Sequence, residues 1–178
     1  MLYMMINPKE FITQWDIRPM MKVADFGCGA GEYAIEIAKQ IGKEGVVYAF
    51  DVQQPVLSAL KSRAKINHLN NIEPRRADLE SPQGTGLSDS LVDFVVISNI
   101  FFQAENKENL AKEAYRILKP NGKAALIEWD ATEVPMGPPQ SIKVPKATAK
   151  QIFLKINFSF EKEFNAGELH YGMIFKKP

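Results

Sequence analysis

The chain has 178 residues, 46% of them hydrophobic and 24% charged, and a formal net charge of +1 at pH 7. That size and balance suit one folded domain over residues 1–178 and argue against disorder or a second domain, while the near-neutral charge removes the global basic field that drives phosphate-backbone binding. A single cysteine, Cys28, excludes an internal disulfide and two histidines leave no metal-ligand spacing; with no long apolar run and no basic-flanked leader, the expectation is a cytoplasmic protein with no membrane span and no metal.

Strand-like and helix-like segments alternate, the pattern of parallel βα units. Residues 7–17 read as a leading helix. Residues 22–26 form a short apolar strand that ends at Gly27, Gly29 and Gly31. In the helix that follows, Ala34, Ile37, Ala38 and Ile41 recur at helical spacing before Gly42, where a left-handed cap is expected. The apolar run 46–50 suits a strand covered on both faces, and it delivers Asp51 at its carboxyl end. Pro55 fits the first turn of the next helix, whose buried stripe is Leu57, Leu60 and Ala64. A third strand at 72–77 contains Pro74, which has no N–H for a central ladder and so belongs at a sheet edge.

A fourth strand at 92–98 and a helix at 107–118, stopped by Lys119-Pro120-Asn121-Gly122, lead to a fifth strand at 123–129. Four prolines and one glycine make 130–145 an irregular loop with a partly fixed backbone. A helix near 148–156 precedes a hairpin: Phe158, Phe160 and Phe164 alternate with polar residues, and Asn165-Ala166-Gly167 turns into 169–175. So short a connection requires antiparallel pairing.

Asp25-Phe26-Gly27-Cys28-Gly29-Ala30-Gly31 lies between a strand and a helix, where glycines let the backbone approach a ligand and helix N–H groups face it. The third glycine comes one residue too early for the G-x-G-x-x-G of dinucleotide binding. The segment resembles acid-x-Gly-x-Gly-x-Gly, the first motif of class I S-adenosylmethionine-dependent methyltransferases. Further resemblances follow in order. Asp51 stands where that family's ribose-binding acid ends the second strand, and Val52 would pack on adenine. Ala77-Asp78-Leu79 is similar to the third motif, with Asp78 accepting from the adenine amino group. Asp93-Phe94-Val95-Val96-Ile97-Ser98-Asn99 resembles the family's fourth strand, and Leu118-Lys119-Pro120-Asn121-Gly122-Lys123 the turn before its fifth.

The resemblance implies an α/β, Rossmann-like, doubly wound sheet of seven strands in the order 3-2-1-4-5-7-6, with strand 7 antiparallel. It puts strand 3 at the edge, as Pro74 independently requires. It also implies S-adenosyl-L-methionine as cofactor and S-adenosyl-L-homocysteine as product, held by Asp25, Gly27, Cys28, Gly29, Gly31, Asp51, Val52, Asp78, Leu79 and Ser98. Within the class the chain is most similar to small, uncapped relatives of the ubiquinone/menaquinone-biosynthesis and arsenite methyltransferases, which implies one domain with a leading helix at 7–17 and no cap domain.

The expected function is methyl transfer to a small-molecule acceptor. The alternatives are an RNA or protein acceptor, or a non-catalytic subunit that binds S-adenosylmethionine. Ser98-Asn99-Ile100-Phe101 lacks the Asn/Asp-Pro-Pro-aromatic motif of base-amino methyltransferases, and Ile100-Phe101-Phe102-Gln103 lacks a histidine that relatives often carry there. Asn99, Asp130 and His170 are the catalytic candidates; Glu128, Glu133 and Tyr171 are further acid–base choices. Phe101, Phe102 and Trp129 suit either an acceptor pocket or the core. Lys143, Lys146 and Lys150 suit either an RNA-facing row or a solvated face. Cys28 reads as a small loop residue, not a nucleophile, and His68 as exposed. In the 130–145 loop, Met136-Gly137-Pro138-Pro139 is the expected flap, with Gly137 as its hinge.

Overall fold

The computed structural model describes residues 8–131 and 137–178. Seven strands form one sheet: β1 (Lys22–Phe26), β2 (Val46–Asp51), β3 (Ile72–Arg76), β4 (Val92–Ser98), β5 (Leu118–Trp129), β6 (Ser159–Phe164) and β7 (His170–Lys176). Their order is β3-β2-β1-β4-β5-β7-β6. The first five pair in parallel, and β7 runs antiparallel to both β5 and β6. This is the Rossmann-like arrangement that the resemblance implied. β3 pairs only with β2, through Pro74 opposite Ala49 among others, so the missing proline N–H interrupts no second ladder.

Successive strand residues face opposite sides of the sheet, and both sides are covered. On one side Val23, Phe94 and Ile127 pack with Ile12, Ile37 and Leu60 from α1 (Pro8–Ile12), α2 (Glu32–Ile41) and α3 (Gln54–Ile66). On the other, Phe26, Ile97 and Leu126 pack with Leu110, Ala114 and Phe153 from α4 (Lys107–Ile117) and α5 (Lys146–Lys155). The stripes expected on α2 and α3 are the buried ones. Because β1 and β4 are neighbours whose following helices lie on opposite sides, the chain diverges beyond their carboxyl ends. Ligand crevices of open α/β sheets form at such a switch point. Among the described residues no helix is long and apolar enough to cross a membrane.

Three local expectations are corrected. Among the described residues the leading helix covers Pro8–Ile12, ending well short of the expected residue 17. It stops because Gln14 turns to bond the backbone of Asn165, donating to its carbonyl (2.9 Å) and accepting from its N–H (3.1 Å), while Trp15 buries itself between Tyr33 and Phe94. Gly42 leaves α2 at φ 72°, the positive-φ region that favours glycine, but its ψ of −179° lies outside the αL cap expected there. The turn expected at residues 119–122 lies inside β5: the ladder to β4 opens at Val92–Leu118, shifts register and resumes at Phe94–Lys123. Asn121 absorbs the bulge at φ 66°.

Candidate functional site

Each glycine of the loop after β1 has its own reason to be there. Gly27, Gly29 and Gly31 all have positive φ, at 69°, 51° and 90°, where a side chain is strained. A Cβ at Gly27 would overlap the Ile100 side chain, and one at Gly31 would overlap the fully buried Leu60. A Cβ at Gly29 would meet nothing within 4 Å. Gly27 and Gly31 are thus required by packing, whereas Gly29 borders open space. The loop is fastened to β2, because the Cys28 N–H donates to the Phe50 carbonyl (2.9 Å) and the Gly29 N–H to Asp51 Oδ2 (3.1 Å).

Asp51 is held where β2 ends. Its second oxygen, Oδ1, accepts from the Gln53 N–H at 2.9 Å. Each oxygen thus carries one backbone donor and keeps lone-pair capacity for another, which suits two adjacent hydroxyls. Asp78 lies beyond β3 and is aimed by the Glu80 N–H (3.0 Å) and the Ser81 hydroxyl (2.7 Å), which hold its carboxyl below the usual carboxylate range. Asp25 is buried under the loop. Burial raises its carboxyl to about 7, against the Ala34 N–H that favours the charged form, and Asp51 adds to the rise. Its Oδ2 is buried without a hydrogen-bond partner among the described residues. Burial, with Asp25 and Asp51, pushes the Cys28 thiol well above its ordinary value, so it stays protonated and poorly nucleophilic.

A cavity of about 450 Å³ opens above these groups at the switch point. Seven of the ten residues expected to hold a cofactor line it: Gly27, Gly29, Asp51, Val52, Asp78, Leu79 and Ser98. Asp25, Cys28 and Gly31 form the buried layer beneath. The far wall comes from the turn after β4, where Asn99, Ile100, Gln103 and Ala104 also face the cavity. No motif marked Ile100, Gln103 or Ala104. Their only signal was position, immediately after a strand that ends at the switch point. Asn99 sits at φ 54°, and its Oδ1 is buried without a partner among the described residues.

A second, shallower cavity of about 610 Å³, broadly open to solvent, adjoins the first. Asn99 and Gln103 line both; the rest of the second is Phe102, Trp129, Pro138, Pro139 and Ile142, so that none of the described residues on its walls is ionised. Of the three catalytic candidates, the structure brings only Asn99 to these cavities. Asp130 lies at the end of β5, its N–H donating to the Leu169 carbonyl (2.8 Å). His170 lies behind Trp129, with ring centroids 4.3 Å apart, and burial pushes it down to about 4, so it is neutral at pH 7. Tyr171 donates to the Val144 carbonyl (2.9 Å). Glu133 and Met136 lie outside the described residues. Phe101 is core, whereas Phe102 and Trp129 are wall.

Gly137 has φ 96°, and a Cβ there would come within 2.7 Å of the Trp129 ring, so it packs against that wall. The three lysines do not form an unoccupied row: Lys146 pairs with Glu163 at 2.9 Å, Lys150 lies 3.5 Å over the Phe160 ring, and Lys143 is buried beside Trp129. His68 is exposed. Among the described residues no cluster of three metal-ligating side chains occurs.

Residues 23–122 match the family model described as a methyltransferase domain. Demethylmenaquinone methyltransferase of Bacillus cereus (strain ATCC 10987 / NRS 248) is 27% identical over 121 residues, covering 67% of this chain and 49% of that protein. The chain spans about half the length of the curated relatives it matches. A SAM-dependent methyltransferase from Aquifex aeolicus superimposes with a TM-score of 0.89 at 24% identity, over 97% of this chain and 90% of that one. An arsenic(III) S-adenosylmethionine methyltransferase from Chlamydomonas reinhardtii does so with a TM-score of 0.70 at 20% identity, over 90% of this chain and 64% of that one. At these identities the structural likeness shows a common fold.

Proposed function

The chain belongs to the methyltransferase-domain family, and from that premise we propose that it binds S-adenosyl-L-methionine in the first cavity and transfers its methyl group to a small-molecule acceptor held in the second. The observation that carries this reading is Asp51, a two-oxygen acceptor tied to the glycine loop and facing a cavity floored by backbone. The residues fit the group. Asp51 would take the ribose hydroxyls, Val52, Asp78 and Leu79 the adenine, and the Gly27–Gly29 backbone the amino-acid end, above the unpartnered Asp25 Oδ2. Where Gly29 borders open space, a ligand can approach the backbone closely.

When bound, the sulfonium supplies an electrophilic methyl group that needs no covalent help from the protein. The chain's own task is to position the acceptor and exclude water. Asn99 and Gln103, common to both cavities, offer amide groups that orient an acceptor without charging it. The described walls, uncharged and with Phe102 and Trp129, favour a small apolar acceptor over a phosphate backbone. The demethylmenaquinone methyltransferase relatives, whose name gives a small-molecule acceptor, support the same choice. The test is incubation with methyl-labelled S-adenosylmethionine and the low-molecular-weight fraction of a cell extract, with RNA and protein fractions in parallel. Label in a small molecule is the expected result; label confined to RNA or protein overturns the acceptor class.

A further inference from the structure

The turn that divides the two cavities is held in place by a carboxylate that faces neither. Glu128, on β5, is fully buried. Its Oε2 accepts from the Phe102 N–H at 3.0 Å and its Oε1 from the Trp129 N–H at 2.7 Å. Phe102 lies within the dividing turn, which is closed by bonds from the Gln103 and Ala104 N–H groups to the Ile100 carbonyl (3.0 and 3.1 Å) and from Gln103 Nε2 to the Asn99 carbonyl (2.8 Å). Trp129 is the aromatic wall of the second cavity. One buried side chain therefore ties the partition to that wall. An apolar residue would fill the same place without the cost of burying a carboxylate, but it would leave both N–H groups unpaired.

We propose that Glu128 is a positioning residue: it sets the partition between donor and acceptor cavities through the Phe102 and Trp129 N–H groups, and it is not a proton acceptor for the reaction. The proposal rests on the two-cavity reading above.

Among the described residues, two further groups face Glu128. Lys107, at the start of α4, donates to the Ala104 carbonyl at 2.7 Å and favours the charged carboxylate. Tyr171 stands opposite it across the antiparallel β5–β7 ladder. Burial raises the Glu128 carboxyl to about 7, while the Trp129, Phe102 and Phe101 N–H groups pull it back. A protonated Glu128 puts a hydroxyl where one of those N–H groups needs an acceptor, so the partition loosens as the carboxyl takes up its proton. His170, whose ring lies tilted against that of Trp129, is held down to about 4 by burial and by Lys143, and titrates in a different range.

The chain has two tryptophans, so fluorotryptophan labelling gives two fluorine resonances, which the Trp15→Phe variant assigns. The Trp129 resonance is expected to shift in one step with a midpoint near pH 7, Glu128→Gln to abolish the step, and Lys107→Met to raise its midpoint by about 0.5 pH units. A flat Trp129 resonance between pH 6 and 8.5 overturns the proposal, as does a step that survives in Glu128→Gln, which would assign it to another group. If Glu128→Gln does not fold, Lys107→Met decides: an unmoved midpoint overturns the proposal. S-adenosylhomocysteine affinity of the unmodified protein, followed over the same range, is expected to change with the same midpoint. No affinity at any pH would contradict the function proposed above, and the fluorine titration, which needs no ligand, would still judge the role of Glu128.

Discussion

Replacing Gly29 by alanine separates the ligand-binding role of the glycine loop from its packing role. At φ 51° an alanine is strained by about 1 kcal/mol, and nothing within 4 Å opposes its Cβ. The protein should therefore keep its fold, with Tm lowered by about 2 to 4 °C. The same methyl group projects into open space beside a cavity that Gly29 lines, where the donor would approach the backbone. S-adenosylhomocysteine affinity should accordingly fall at least about tenfold, or about 1.4 kcal/mol. Gly31→Ala is the control. There the Cβ overlaps fully buried Leu60 at φ 90°, adding about 1 to 3 kcal/mol of overpacking to the backbone strain, so its main effect is on Tm. Thermal denaturation and calorimetric titration of both variants give the comparison. Gly29→Ala binding as tightly as the parent protein would refute the reasoning, because open space at the loop would then be unrelated to a ligand.

Asp51→Ala should weaken S-adenosylhomocysteine binding by about 1 to 3 kcal/mol, measured by the same titration, and an unchanged affinity would show that this acid does not hold the ligand. Asp25 and Glu128 both have carboxyls raised to about 7 by burial; the folded state then binds more protons than the unfolded chain, and stability falls as pH rises through 7. Each acid contributes about 1 kcal/mol between pH 8 and 6, which half-buried His170, lowered to about 4, offsets only in part. Tm should be about 3 °C higher at pH 6 than at pH 8, and the opposite order contradicts the assignment. Gly137→Ala should displace the Trp129 ring and change methyl transfer about tenfold while S-adenosylhomocysteine affinity stays within about twofold, a split that an assay with the identified acceptor would read.

The parts of the fold that were legible in the sequence depend on local chemistry. Apolar runs marked the strands, 3.6-residue periodicity marked the buried stripes of α2 and α3, and the missing N–H of Pro74 placed β3 at an edge. The lining of the first cavity was legible through the resemblance, since seven of the ten residues it implied face that cavity. What escaped depends on residues far apart. The leading helix ends early because Gln14 meets Asn165, and the lysine row is taken up by Glu163 and Phe160 on β6. That Gly137 packs against Trp129 was likewise not legible in the sequence. Glu128 had the look of a base at a strand end, yet it bonds backbone groups, including one in a turn 26 residues earlier. The partition residues Ile100, Gln103 and Ala104 carry no recognisable chemistry, and only the fold shows that they divide two cavities.

The central claim is that the first cavity holds S-adenosylmethionine, and calorimetric titration with S-adenosylhomocysteine tests it most directly. The account predicts saturable binding at one site per chain, displaced by S-adenosylmethionine and not by NAD. Absence of binding at millimolar ligand, by a protein whose thermal unfolding is cooperative, would contradict it.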